Sequence, residues 1–360
     1  VHVPSAKAHF GLGEAGLAGL LFAAALGLVF CLAFAGRLVA RFGARGAARG
    51  AALALAASLA MLLFLPHVAL AVPAMVLLGA ASSLWDMAIN AEGAALEEAG
   101  GAPVMSGLHG MWSLGGMAGA GACGALLAAG WAPAPQLASF SLAVGAVALL
   151  GAAGMLEVHP AREGHTDEAH FAWPRGPLLA IGLLILAGMT AEGVMYDWGV
   201  LYLTQELGQT QAYGALAYMA FTGAMAAARF GGDALRRRVH ERTLLASGAG
   251  AAALAMALVL LLAHPVVTVL GFAVVGAGLA CVAPVLFSAA TRVPGTSRAA
   301  AIAAATSVGY GGFLLGPPLI GAIAHATTLS IALAVLVPAS LALAIGARRL
   351  AVLRGPAGPR

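Results

Sequence analysis

The sequence is poor in charge. Its 360 residues carry 18 Lys+Arg and 14 Asp+Glu, 9% charged, against about 25% in an ordinary soluble domain. Lysine and asparagine each occur once, as Lys7 and Asn90. A soluble globule covers itself with polar side chains, and this chain has too few. That scarcity excludes a soluble enzyme, a nucleic-acid binder and a disordered chain. Cys31, Cys123 and Cys281 all fall in apolar stretches, which suits small core residues and argues against a disulfide framework or a zinc site. No G-x-x-x-x-G-K-[ST] run is present, so no Walker loop binds ATP and no such cofactor is expected. No nucleophile–base pair or H-E-x-x-H supports a membrane-embedded hydrolase, and no loop is long enough to be a receptor's signalling domain.

What is present is apolar. Hydrophobic residues make up 61% of the chain and the mean hydropathy is +0.95. The short alternating strands of a membrane barrel are missing, so the expected class is an all-α polytopic membrane protein. A span needs about 20 apolar residues. Eleven candidates occur: 15–36, 47–65, 71–92, 108–130, 136–156, 177–203, 212–232, 243–263, 266–290, 299–324 and 329–347. Short links such as Leu65-Pro66-His67 and His264-Pro265 join them as antiparallel neighbours. The first run has span length and no basic leader, unlike a signal peptide.

The arginines test that count. With Arg229 at a span margin, the loops 37–46, 93–107, 157–176, 233–242, 291–298 and 348–360 gather all 17 of them, Arg49 lying at the start of the next span on the same side. The opposite loops hold only Lys7. The positive-inside rule puts the arginine-rich set, and the C-terminus, in the cytoplasm. The N-terminus as given then lies outside. It starts at Val1, and a missing first helix would account for this.

An internal repeat points the same way. Ala35-Gly36-Arg37-Leu38-Val39-Ala40-Arg41-Phe42-Gly43-Ala44-Arg45 parallels Ala228-Arg229-Phe230-Gly231-Gly232-Asp233-Ala234-Leu235-Arg236-Arg237-Arg238, and Ser113-Leu114-Gly115-Gly116 parallels Ser307-Val308-Gly309-Tyr310-Gly311-Gly312. The expected organisation is a helical bundle over 1–156 lacking its first span, a cytoplasmic linker over 157–176, and a six-helix bundle over 177–360.

These features resemble the major facilitator superfamily, whose two halves are parallel repeats of six helices; this chain would hold 11 of 12 spans. The first loop resembles the signature G-x-L-a-D-R-x-G-R-R at Gly36, Leu38, Arg41, Gly43 and Arg45, with Ala40 where the family has Asp. By that resemblance Gly36, Arg37, Arg41, Gly43 and Arg45, with Arg229, Asp233 and Arg237 in the second half, form gating loops that latch the halves. With Ala40 in that place, the first loop lacks the acid of the family's charge latch. A narrower resemblance, to YbjJ-type transporters and through them to fucose–proton symporters, rests on three blocks. They are Asp86-Met87-Ala88-Ile89-Asn90, Leu108-His109-Gly110-Met111-Trp112-Ser113-Leu114-Gly115-Gly116 and Glu192-Gly193-Val194-Met195-Tyr196-Asp197-Trp198-Gly199-Val200-Leu201-Tyr202-Leu203.

Three acids fall within or at the edge of spans: Asp86, Glu192 and Asp197. A charge at a helix centre costs roughly 2.5–3.5 kcal/mol on insertion scales, so each must pair, face water or hold a proton. Asp86 and Asn90 are four apart and share a helix face, as do Glu192 and Tyr196. Proton or substrate binding is expected of Asp86, Asn90, Glu192, Tyr196, Asp197, His109, Trp112 and Ser113; a buried structural acid or a helix-start His is the bland alternative. Trp198 and Tyr202, near a helix end, suit interface anchors or a stacking platform for a sugar. Gly312-x-x-x-Gly316-Pro317-Pro318 suits close packing and kinking. His159, His165 and His170 lie in the linker at spacings that fit no compact metal site.

The expectation is a non-enzymatic, monomeric secondary transporter of a bacterial inner membrane. It would move a small polar, sugar-like solute with protons by alternating access. The alternative is a proton-linked exporter of drugs or toxic organic compounds, which would favour a more aromatic cavity than 6% aromatics supplies.

Overall fold

The computed structural model describes residues 1–100, 105–156, 175–236, 238–296, 298–309 and 311–353. Arg237, most of the linker 157–176 and its histidines lie outside the described residues, as does the side chain of Asp233. Within them all regular structure is helical. In chain order the helices are α1 (Val3–His9), α2 (Glu14–Leu62), α3 (Val68–Gly100), α4 (Met105–Ala128), α5 (Pro133–Ala153), α6 (Gly176–Gln205), α7 (Gln211–Arg236), α8 (Glu241–Leu262), α9 (Pro265–Leu279), α10 (Val282–Ala290), α11 (Arg298–Gly309), α12 (Gly311–Ala326), α13 (Leu329–Leu333) and α14 (Leu336–Arg349).

Nine helical stretches among the described residues are long and apolar enough to cross a membrane. Two facts reconcile nine with the eleven expected spans. α2 has 49 residues, about 74 Å at 1.5 Å per residue, more than twice the roughly 30 Å apolar thickness of a bilayer. It breaks at Gly43, whose φ of 71° and ψ of 159° leave the helical region, so the spans 15–36 and 47–65 are its two arms. The other fact is α7, the helix of span 212–232, which is not among the nine because it is less apolar than the others. Two further expected spans are interrupted: 266–290 is α9 plus α10 and 329–347 is α13 plus α14, while 299–324 is α11 and α12 on either side of Tyr310, which lies outside the described residues.

Gly43 sits in backbone space that is almost closed to side chains. Gly43→Ala is expected to cost about 1–3 kcal/mol, read as a lower melting temperature of the purified protein.

The chain divides into two compact units. One comprises 2–108 and 125–163. Here α2 packs along α3 and α5, and Leu20, Ala23, Leu62, Ala71 and Met75 form one buried cluster. α2 and α3 approach through reciprocal glycines. A Cβ on Gly79 would stand 1.8 Å from the Ala24 carbonyl oxygen, and one on Gly27 2.0 Å from that of Val76. Without a strong hydrophobic drive between helices in lipid, such backbone contact supplies the packing. Gly79→Ala forces the helices apart, and a loss of about 1–3 kcal/mol should appear as early melting or aggregation on size-exclusion chromatography. In the same unit Arg45 donates to the Ala153 carbonyl, and Leu156 N–H donates to Glu92 at 2.9 Å. The first arginine loop is thus tied to the end of α5. Arg41 lies over the Phe42 ring.

The second unit comprises Val1, His109–Gly124 and Gly164–Arg360. α6 is its centre: it packs against α7, α11, α12 and α14, and its most apolar stretch is the most buried among the candidate spans. Gly312 of α12 lies against α6, where a Cβ would stand 2.7 Å from both the Leu186 carbonyl oxygen and Thr190 Oγ1. At the far end of α6, Glu206 accepts from the Leu329 N–H at 3.0 Å and from Ser330 Oγ at 2.9 Å, capping α13.

Candidate functional site

Trp198 and Tyr202 are fully buried, and the Tyr202 hydroxyl donates to the Val259 carbonyl at 3.4 Å. They are core residues of α6. This replaces both the interface-anchor and the stacking-platform readings, because the end of α6 is enclosed by its neighbours and not by headgroups.

The acids behave differently. Glu192 stands near the middle of α6, and its carboxylate meets the Arg229 guanidinium of α7 at 3.3 Å, both side chains being largely buried. Helix geometry explains the meeting. Glu192 lies about 20 Å before the end of α6 and Arg229 about 27 Å after the start of α7. Side chains lean toward their own helix N-terminus. In antiparallel helices the two lean toward one another, and the long arginine stem closes the rest of the gap.

Arg229 also donates to Ser113 Oγ of α4 at 2.7 Å and, through Nε, to the Ala280 carbonyl at 3.5 Å. The last contact has a covalent cause. In a helix, the amide four residues on would serve the Ala280 carbonyl. That residue is Pro284, which has no N–H. The α9–α10 break falls here, and the arginine supplies the missing donor. A backbone interruption at membrane depth needs such a substitute.

Tyr196, one turn after Glu192, donates its hydroxyl to the same carboxylate at 3.0 Å. Its ring packs edge-on against Phe221, centroids 5.5 Å apart, and beside Tyr218 at 5.7 Å. One carboxylate therefore holds a cation and a phenol, and one guanidinium ties α4, α6, α7 and the α9–α10 break together.

Of the residues expected from sequence, Glu192, Tyr196, Ser113 and Arg229 are brought together. Arg229 is thus a helix residue bound to the intramembrane acid, whereas the sequence grouped it with a loop. Asp197 is half-buried beside Tyr196 on α6, and His109 and Trp112 are exposed on α4. Asp86 and Asn90 lie on α3 in the other unit, Asp86 exposed and Asn90 half-buried. Sequence reasoning missed Ala280 and Pro284; the readable signal was a proline one turn into the second part of a span.

The Major Facilitator Superfamily model matches residues 3–317. An uncharacterized MFS-type transporter of Yersinia pestis is 33% identical over 346 residues, covering 96% of this chain and 89% of its own. The chain belongs to the Major Facilitator Superfamily. It is a multi-pass membrane transporter and not an enzyme. Among solved structures, the nucleoside transporter NupG aligns with a TM-score of 0.78 at 15% identity, covering 96% of this chain and 93% of its own. A D-xylose–proton symporter aligns at 0.76 and 15%, covering 97% and 92%. At that identity both attest the fold alone. Among the described residues of the transporter, no three His, Cys, Asp or Glu side chains are grouped to hold a metal ion.

Proposed function

We propose that the transporter carries a small polar organic solute, sugar-like in class, together with protons. It works by alternating access, as a monomer in a bacterial inner membrane with its C-terminus in the cytoplasm. The observation that carries this reading is the buried Glu192–Arg229 pair with its Tyr196 and Ser113 contacts. An intramembrane ion pair is expensive to keep. It is worth keeping where a proton can open it, since opening frees donors and acceptors for a polar solute. Glu192 is the proton acid of the second half, and Asp86 with Asn90 its counterpart in the first. His109, Trp112 and Asp197 flank the route. The bundles 1–156 and 177–360 rock about the linker 157–176, with Gly36, Arg37, Arg41, Gly43, Arg45, Asp233 and Arg237 closing the cytoplasmic side. Sidedness follows from the arginine-rich loops. The D-xylose–proton symporter of the same fold is named for a sugar and a proton, the pairing proposed here.

A thermal-shift screen of sugars and organic acids on purified protein selects the solute, and proteoliposomes then test coupling. An imposed pH gradient drives accumulation in wild type and fails to in Asp86→Asn. Accumulation unchanged by Asp86→Asn, or no accumulation in wild type, contradicts the proposal.

A further inference from the structure

Two arginines of the second unit stand beside a cavity. The cavity measures about 360 Å³ and is lined by Arg242, Thr243, Ala246 and Ser247 of α8 and by Arg348 of α14. Among the described residues neither Arg242 nor Arg348 makes a hydrogen bond or ion pair. The adjacent acid, Glu241, is engaged by Arg292. His240 gives α8 no side-chain cap, so the first-turn N–H groups add their positive end to the two guanidiniums. Two guanidiniums, two hydroxyls and a helix N-terminus fit a phosphate.

The helix faces leading away from the cavity decide which phosphate. Beyond Ser247 the exposed large apolar residues of α8 include Leu254, Leu258 and Leu261; before Arg348 those of α14 are Leu341 and Ile345. All recur at spacings of three, four or seven, so one apolar stripe on each helix leads straight into the cavity. The cavity lies at the start of α8 and the end of α14, which are ends of two candidate spans, and the stripes run along the lengths of those spans.

We propose that this cavity binds the phosphate of an anionic phospholipid, with the acyl chains along the two stripes. Arg242 and Arg348 grip the phosphate, Thr243 and Ser247 donate to its remaining oxygens, and bound lipid braces α8 against α14.

Native mass spectrometry of the purified transporter, titrated with phosphatidylglycerol or phosphatidylcholine, tests this. Wild type retains phosphatidylglycerol preferentially. Arg348→Gln, at an exposed position, weakens that retention by about fivefold, and Arg242→Gln/Arg348→Gln by about 25-fold, at about fivefold per arginine. Arg349→Gln, one residue off the cavity, leaves it unchanged. Equal retention by wild type and Arg348→Gln overturns the proposal. Displacement of phosphatidylglycerol by inorganic phosphate at equal concentration also overturns it, since the source would then be free phosphate.

Discussion

Glu192→Gln is expected to abolish uphill transport while leaving exchange of solute across the membrane intact. The change keeps the side chain's shape but removes the charge and the site of proton binding. A gradient of two pH units supplies about 2.7 kcal/mol per proton, enough for about 100-fold accumulation when one proton travels with each solute. In the Glu192→Gln variant the ratio falls to about 1, because nothing at the second-half acid couples to the gradient. Counterflow between preloaded solute and external radiolabel needs no net proton movement and continues. Measuring both on one batch of proteoliposomes separates loss of coupling from loss of folding.

Arg229→Met is expected to destabilise the protein more than any other single change considered. It leaves the Glu192 carboxylate in the membrane interior without its cation, and breaking a buried pair by removing one partner costs about 3–5 kcal/mol. Ser113 and the Ala280 carbonyl lose a donor at the same time, and Pro284 cannot replace it. The double variant Glu192→Gln/Arg229→Met removes the stranded charge and should recover most of the loss, leaving about 1–2 kcal/mol for the orphaned carbonyl. The check is a double-mutant cycle of thermal melting in detergent. Additive effects of the two substitutions would show that the contact carries no coupling.

The helical spans were legible because each is a run of apolar residues long enough to cross lipid, and that signal is local. The Glu192–Tyr196 contact was legible for the same reason: residues four apart share a helix face. Arg229 was visible only as an arginine at a span margin, since its meeting with Glu192 depends on how two antiparallel helices lean, 37 residues apart in the chain. The donor that Pro284 withholds from the Ala280 carbonyl could be inferred only by knowing where the helix breaks. Trp198 and Tyr202 misled because aromatics near a span end mark an interface only if lipid surrounds that end, and α6 is enclosed. The 37–46 loop was read as a break between spans, and the break lies within it, at Gly43, with helix up to it on both sides.

The central claim is that Glu192 carries a proton with each solute. Proteoliposomes loaded with a pH-sensitive dye test it most directly, with no gradient imposed and the solute added outside. The account predicts that adding solute to wild-type vesicles acidifies the interior and that adding it to Glu192→Gln vesicles does not, although labelled solute still equilibrates in both. Solute entering wild-type vesicles without any change of internal pH, or an equal change with Glu192→Gln, would contradict it.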